Sequence, residues 1–449
     1  MSKTAIMGKI IWFTSKALLV ALMTWGSVGL ADEQVFAGQM HLEEIPTPAP
    51  GLGAIPWEND IDEGYLDEDM AAALASHGGM SLDGSTYSEH PIGPCDFLSK
   101  GVCCPPTWYT EQQIRVLTRN RSRGRVISAE YLPDESALAG QAVTSGRLST
   151  KSITFNATEG YYTTIGRHLW RDSENRDHFG EFTFWGLHSW DDWAHASGRR
   201  LFGGTVGSLF SPFDLTLNVL DTSVGGFNWS DTHRLSYQSS IHNWELNSRI
   251  RPRIRKDRLV LQPNGRWRRE ERPGAHYSFL YGFRVVSIAE RSLFQARGQI
   301  VSDPDVFNAF GDYHVRTGNN LIGLQIGGDM VYRYNKWSWG FRGKTAAMVN
   351  AAHHISRVRS GGDPFADILP NYTLKDSRSD VAAVIEFGVT GKYMITPHFW
   401  LNAGYDLMWV TGLALAPEQM DFSARPSGHL NTGGTVFYHG LTAGFEWTF

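Results

Sequence analysis

Hydrophobic and polar residues alternate with a period of two at the end of the chain. From Phe437 to Phe449 every second residue is apolar or aromatic, with His439 the one polar member, and the residues between are small or polar. Successive side chains of a strand point to opposite faces, so the pattern predicts a strand with one aromatic face and one polar face. Such a strand suits a barrel with lipid outside and water inside.

The same alternation recurs upstream in hairpins. Two strands over 382–393 and 399–409 flank a turn at Thr396-Pro397, and two strands over 322–333 and 337–350 flank Tyr334-Asn335-Lys336. Shorter alternating stretches are 181–184, 243–251 and 277–285. Long irregular loops are expected near 206–232, 252–275, 354–379 and 411–434. Short turns at one end and long loops at the other are typical of outer-membrane barrels.

A soluble β-sandwich or propeller would also alternate, but two features favour a membrane barrel. The apolar faces carry Trp, Tyr and Phe near the strand ends, as interfacial girdles do. The opposite faces carry charges of both signs, which a soluble core would exclude. The predicted fold is all-β: a transmembrane antiparallel β-barrel over residues 108–449 with an irregular N-terminal extension. Allowing about 10 residues per strand, we expect about 12 strands, within a range of about 10–14.

The first 31 residues have the pattern of a secretory signal peptide. Lys3, Lys9 and Lys16 precede a short apolar core over 17–28, and Gly29-Leu30-Ala31 forms a small-x-small cleavage site. An N-terminal membrane anchor is the alternative, although the apolar run is short for a spanning helix. We therefore expect export and residence in the outer membrane.

Residues 32–107 form a segment of different composition. Pro46, Pro48, Pro50 and Pro56, followed by a run of acids from Glu58 to Asp69, predict a solvated linker or a plug, with a calcium loop as the alternative. The chain's three cysteines follow in the same segment. In an oxidising compartment Cys95 could pair with either Cys103 or Cys104, and metal binding is the alternative.

Charge and motifs exclude several function classes. The formal charge is −5, which argues against a nucleic-acid partner because phosphate binding needs a basic surface. The chain has no GxxxxGK[ST] phosphate loop and no GxSxG nucleophile motif. No cofactor and no enzymatic activity are therefore predicted.

Several stretches resemble one family. They are GRHLWRDSENRDHFGEFTF (166–184), HNWELN (242–247), TGNNLIGLQIGGD (317–329), GLALAPE (412–418) and FYHGLTAG (437–444). Together they are similar to the beta-barrel porin 7 family of planctomycete bacteria, over about residues 108–449. The resemblance implies an outer-membrane barrel and a pore, and it implies no substrate or catalytic residue.

The leading functional hypothesis is a porin-like channel for passive diffusion of small hydrophilic solutes, with selectivity set by charges in the lumen. Candidate lumen-lining residues are Glu245, Arg249, Arg251, Arg284, Asp329, Arg333, Arg342, Lys344, Glu386, Lys392, Asp406 and Glu446. These charges could instead pair across the lumen and close it. Further expected partners are outer-membrane lipids and the insertion machinery, which would read Phe445, Trp447 and Phe449. Association into homo-oligomers stays open.

Two alternative functions remain. One is a non-conducting structural or surface-interaction barrel, whose long loops would make the contacts. The other is a hydrolase at the barrel rim, which would use an acid–histidine pair. The candidate pairs are Asp177 with His178, and Asp191 or Asp192 with His195.

Overall fold

A computed structural model describes residues 108–120, 123–132, 143–174, 176–215, 224–252, 258–261, 267–270, 274–366, 370–396, 398–423 and 426–449. The chain divides into two units, Met1–Glu89 and His90–Phe449, and all the described residues belong to the second. The predicted signal peptide, the acidic segment and the three cysteines lie outside the described residues.

The described chain consists almost entirely of strands. In chain order they are β1 (Trp108–Arg119), β2 (Val126–Leu132), β3 (Val143–Ser149), β4 (Thr158–Arg171), β5 (Arg176–Ser197), β6 (Arg200–Leu201), β7 (Val206–Gly207), β8 (Leu209–Phe210), β9 (Thr232–Pro252), β10 (Arg258–Leu261), β11 (Trp267–Glu270), β12 (Gly274–Ser302), β13 (Asp305–Tyr334), β14 (Trp337–Gly361), β15 (Tyr372–Thr396), β16 (Phe399–Leu413) and β17 (Gly434–Thr448). Short helical turns are Thr150–Ser152, Phe202–Gly204, Pro212–Leu215 and Ala416–Gln419. Within these described residues, no helix is long and apolar enough to cross a membrane.

Ten of the strands close into a barrel. The order around the ring is β1-β17-β16-β15-β14-β13-β12-β9-β5-β4, every pairing is antiparallel, and β4 pairs with β1 to complete it. Trp108 and Phe449 exchange two backbone hydrogen bonds of 3.0 and 2.9 Å at the seam. A closed sheet leaves no unpaired edge, which is the condition for crossing lipid. The predicted fold class is confirmed.

The ring has ten strands, the lower end of the predicted range and two fewer than its central value. The reason is strand length. β12 and β13 have 29 and 30 residues and pair without interruption from Gly274↔Arg333 to Ser302↔Asp305. About 10 residues suffice to cross a bilayer, so long strands use up the chain with fewer crossings.

Two of the expected long loops differ in the structure. Most of 354–379 is strand, because β14 continues to Gly361 and β15 begins at Tyr372. The connection at 252–275 contains the β10–β11 hairpin and begins at the end of the barrel where Trp108 and Phe449, here called the barrel termini, pair with each other. That end also carries the two-residue turn Asn335-Lys336. The opposite end holds the sheet β3-β2-β8 and the long connections β5–β9 and β16–β17.

The outward face carries a wide apolar belt. Its exposed side chains include Leu246, Phe279, Tyr281, Phe283, Ile322, Leu324, Ile326, Val381, Phe387 and Leu441. An aromatic girdle borders the belt on the side of the termini and comprises Trp108, Trp170, Tyr332, Tyr334, Trp337, Trp339 and Phe449. Water would make such a surface strongly unfavourable, and lipid makes it favourable. The barrel therefore spans a membrane with this belt.

Candidate functional site

The middle of the barrel holds a cluster of buried charges from strands that face each other. Lys344 Nζ on β14 lies 2.9 Å from a Glu245 carboxylate oxygen on β9 and 3.4 Å from Glu386 on β15. Arg284 on β12 donates to Glu386 at 3.0 Å and lies 3.8 Å from Glu245. All four side chains are at most 4% exposed. Water therefore does not solvate these charges, and the ion pairs between them compensate for the lost hydration.

Three more charges extend this cluster to the opposite wall. Arg342 lies 3.2 Å from Asp406, and Arg115 on β1 lies 2.9 Å from the same carboxylate. The Arg115 guanidinium also lies over the Tyr162 ring, 4.2 Å from its centroid. These seven residues, here called the central cluster, are Arg115, Glu245, Arg284, Arg342, Lys344, Glu386 and Asp406. Four cations and three carboxylates thus fill one level of the lumen.

A second group of ion pairs lies closer to the end with the termini. Arg249 donates to Glu181 at 2.5 Å and also contacts Asp329, and Tyr109 donates to the same Glu181. On the other side, Lys392 donates to Glu446 at 2.5 Å and lies 3.5 Å from Glu111. The Lys392–Glu446 pair is more exposed than the central cluster, since its side chains are 25% and 21% exposed.

The structure places all twelve predicted lumen-lining residues on the inward face. Ten belong to the ion pairs above, and Arg251 and Arg333 lie over the rings of Phe179 and Trp400 at 5.6 and 5.7 Å. Sequence reasoning missed several of the charges on the inward faces of the barrel strands, which are Glu111, Arg115, Arg119, Glu181 and Glu290. Alternation within β1, where Tyr109, Glu111, Gln113 and Arg115 share a face, was the signal that could have found the first three.

At the end of the barrel opposite Trp108 and Phe449, a loop segment folds into the barrel interior. We call residues 414–423 the plug segment. Glu290 accepts a hydrogen bond of 2.8 Å from the Ala416 amide, and it forms an ion pair with Arg119 at 2.5 Å. The Asn319 side chain accepts a hydrogen bond of 2.7 Å from the Ala414 amide and donates one of 2.9 Å to the Ala414 carbonyl oxygen. These bonds tie the β16–β17 connection to the inner wall.

Aromatic side chains fill the space around the plug segment. Phe422 packs against Phe213, Phe294 and Tyr313, with ring centroids 4.9, 6.2 and 5.4 Å apart. The same core contains four more aromatic side chains closer to the central cluster, each at most 1% exposed: Trp185, Trp190, Tyr237 and Tyr438. Side chains fill the interior of barrels of about eight strands, and in this ten-stranded barrel large buried side chains do the same. The interior of the described barrel is therefore packed, whereas the polar inward face had suggested a wet lumen.

The structure separates the acid–histidine pairs suggested by the sequence. Asp177 and His178 are consecutive in β5 and point to opposite faces. Asp177 instead lies 3.2 Å from His168, while His178 lies 3.0 Å from Asp172 in the β4–β5 turn. That contact, with hydrogen bonds from the Arg176 amide and side chain, lowers the pKa of Asp172.

The second suggested pair has no better geometry. Asp192 lies on the inward side of β5 and accepts a hydrogen bond of 2.7 Å from the Thr154 amide. Asp191 and His195 lie on the outward side, where the His195 ring packs 5.4 Å from Trp193. Among the described residues no group of three or more His, Cys, Asp or Glu could hold a metal ion.

No family model matches the chain, so the resemblance to the beta-barrel porin 7 family stays a prediction. No curated protein matches it either. Among solved structures, it is similar to the outer membrane protease OmpT from Escherichia coli, at 12% identity and a TM-score of 0.35, covering 77% of this chain and 97% of that one. It is also similar to the toluene transporter TodX of Pseudomonas putida, at 9% identity and 0.20 over 79% and 92%. The translocator domain of the autotransporter NalP from Neisseria meningitidis gives 10% and 0.19 over 79% and 91%.

Proposed function

We propose that this protein is a non-conducting outer-membrane barrel that carries a rigid folded extension for surface interactions. The observation that carries the proposal is the packed interior. A passive pore needs a continuous polar lumen wide enough for water. Here the central cluster, the aromatic core and the plug segment occupy successive levels of the described barrel.

The extension is the second support. Beyond the last apolar row of the belt, β12 and β13 stay paired from Val286 to Ser302. This part of the barrel, here called the extension, rises roughly 40 Å along the barrel axis for strands of ordinary tilt. Its inward face continues the hydrophobic core of the barrel, with Leu235, Ile288 and Phe294 fully buried. Outer-membrane barrels keep their termini and short turns in the periplasm, so this extension would stand outside the cell. A rigid stem with loops at its tip suits contact with other molecules.

Planar-bilayer recording of the purified protein tests the proposal. We expect no conductance steps from the wild type, with heat-modifiable gel mobility showing that the barrel is folded. The matched variant combines Arg284→Ala, Lys344→Ala and Glu386→Ala with a Gly-Ser replacement of residues 414–423, and folded protein of this kind should conduct. Stable ohmic steps from the wild type would overturn the closed barrel and favour the porin-like channel for small hydrophilic solutes.

The proposed location implies recognition by the outer-membrane insertion machinery. The aromatic positions Phe445, Trp447 and Phe449 face outward at the closing seam, where the Phe449 amide donates to Trp108 at 2.9 Å. Deleting Phe449 should lower the amount of heat-modifiable barrel in the outer-membrane fraction. An Ala replacement of Thr448, which leaves the terminal aromatic in place, is the control.

A further inference from the structure

The outward surface just beyond the apolar belt is basic on four neighbouring strands. The last apolar row of the belt is formed by Val285, Ile322, Val349 and Val381, which are register partners on β12, β13, β14 and β15. Farther along the same faces, Arg291 lies directly opposite Arg316, and His314 lies directly opposite Arg357. We call Arg291, Arg316, Arg357 and Lys375 the basic patch.

The geometry of the sheet brings these four side chains together. Arg316 opposes Ile355 on β14, and Ile355 opposes Lys375 on β15, so all three lie on one row with Arg291. Arg357 lies one row farther out and diagonal to Arg316, about 7–8 Å away. All four side chains are exposed. Like charges directly opposite each other destabilise a sheet, and a shared anion would reverse that effect.

Acidic neighbours do not balance this charge. On the outward positions that the structure describes on β9 and β12–β15 beyond the belt, Asp312 is the one acid. It already accepts a hydrogen bond of 2.7 Å from Arg297, and Arg359 lies directly opposite it. Asp376 and Asp380 belong to the inward face of β15, where Asp380 accepts from Thr432 at 2.6 Å. The basic patch is therefore available to an external anion.

The height of the patch above the belt selects the anion. Arg291 lies six residues beyond Val285, which is about 15 Å along the membrane normal for a strand of ordinary tilt. The phosphate of a compact phospholipid lies only about 5–8 Å beyond the hydrocarbon edge. A larger headgroup, with phosphates carried on several sugars, reaches the level of the patch. Arginine binds phosphate oxygens in two-pronged fashion.

We propose that the basic patch binds phosphates on the saccharide headgroup of a glycolipid in the outer leaflet around the barrel. This rests on the proposed outer-membrane location. The bound lipid would form a fixed collar where the belt ends and the extension begins. Its headgroup phosphates would bridge Arg291 with Arg316, and Arg357 with Lys375.

Binding of a phosphorylated lipopolysaccharide to the detergent-purified barrel, measured by microscale thermophoresis, tests the inference. The Arg316→Ala/Arg357→Ala variant should weaken binding at least about 10-fold, and added salt should weaken wild-type binding. The control is Arg167→Ala, which removes an outward arginine near the opposite end, where it lies over the Trp108 ring. It should change the affinity less than about 2-fold. Heat-modifiable mobility checks that each variant is folded.

Three results would overturn the inference. They are equal affinity of the double variant and the wild type, equal affinity for enzymatically dephosphorylated lipopolysaccharide, and equally tight, patch-dependent binding of phosphatidylglycerol. The third would assign the patch to a compact phospholipid. Membrane fractionation of cells separates this test from the proposed location. Barrel found outside the outer membrane would refute the location, while patch-dependent binding in detergent would still stand.

Discussion

Replacing Glu386 with leucine removes the carboxylate that the central cluster shares most widely. Glu386 lies 3.0 Å from Arg284, 3.4 Å from Lys344 and 3.9 Å from Arg342, and it is only 2% exposed. The cluster holds four cations and three carboxylates, so the variant leaves four cations facing two. Leucine has nearly the same volume, which keeps the loss of packing small.

The expected cost follows from burial. Removing one partner of a buried ion pair leaves uncompensated charge in a medium of low dielectric constant, and it typically costs about 3–5 kcal/mol. Glu386→Leu should therefore lower the free energy of unfolding by about that amount. A partly exposed pair gives a contrast, because an ion pair contributes less as it reaches solvent, down to about 0–1 kcal/mol at the surface. Glu446→Gln is the matched control, since Glu446 is 21% exposed and Lys392 keeps Glu111 at 3.5 Å.

Urea unfolding in lipid vesicles, followed by tryptophan fluorescence and by heat-modifiable mobility, provides the assay. A double-mutant cycle with Arg284→Met separates charge pairing from general damage. The combined Arg284→Met/Glu386→Leu variant should cost about 1–3 kcal/mol less than the sum of the two single changes. A cost below about 1 kcal/mol for Glu386→Leu, or strict additivity in the cycle, would refute the reasoning.

Three further outcomes are expected. Phe279→Arg puts a charge midway across the belt and should cost about 2–4 kcal/mol in the same urea assay, whereas Phe445→Arg near the aromatic girdle should cost about 0–1 kcal/mol; equal costs would contradict the position of the belt. Asn319→Ala removes both bonds to Ala414 and should speed hydrogen exchange of the plug segment while the belt strands stay protected; unchanged exchange would show that aromatic packing alone holds the segment. Burial raises the pKa of Glu418, in the plug segment, above its ordinary value of 4.5, so the native state favours the protonated acid. Its contribution to stability is fully present below pH 4.5 and is lost as the pH rises through the raised pKa. The protection factor of the plug segment, which is its exchange rate corrected for the intrinsic pH dependence of amide exchange, should therefore fall as the pH rises above 4.5, and Glu418→Gln should flatten that dependence; identical protection profiles would disprove the assignment.

Period-two alternation correctly predicted which side chains face outward and which face inward, where the two faces of a strand differ in composition. In β17 the aromatic set faces outward and Glu446 inward, and the hairpin of β15 and β16 follows the same rule. The reason is local: a strand can present its side chains in only two directions. Strand number was less well determined, because alternation does not say where a strand leaves the membrane. β12 and β13 continue far beyond the belt with the same periodicity.

The sequence by itself therefore determined an all-β chain, the two faces of its strands and twelve of the charges on the inner face. Only the tertiary structure decided what those charges do. Arg115 and Asp406 are 291 positions apart in the chain and Arg119 and Glu290 are 171 apart, yet closure of the ring brings each pair into contact. The sequence pattern of a polar strand face is the same whether its side chains contact water or an opposite charge. The circumference of ten strands is what makes the second outcome possible here, because it leaves room for side chains to meet across the lumen.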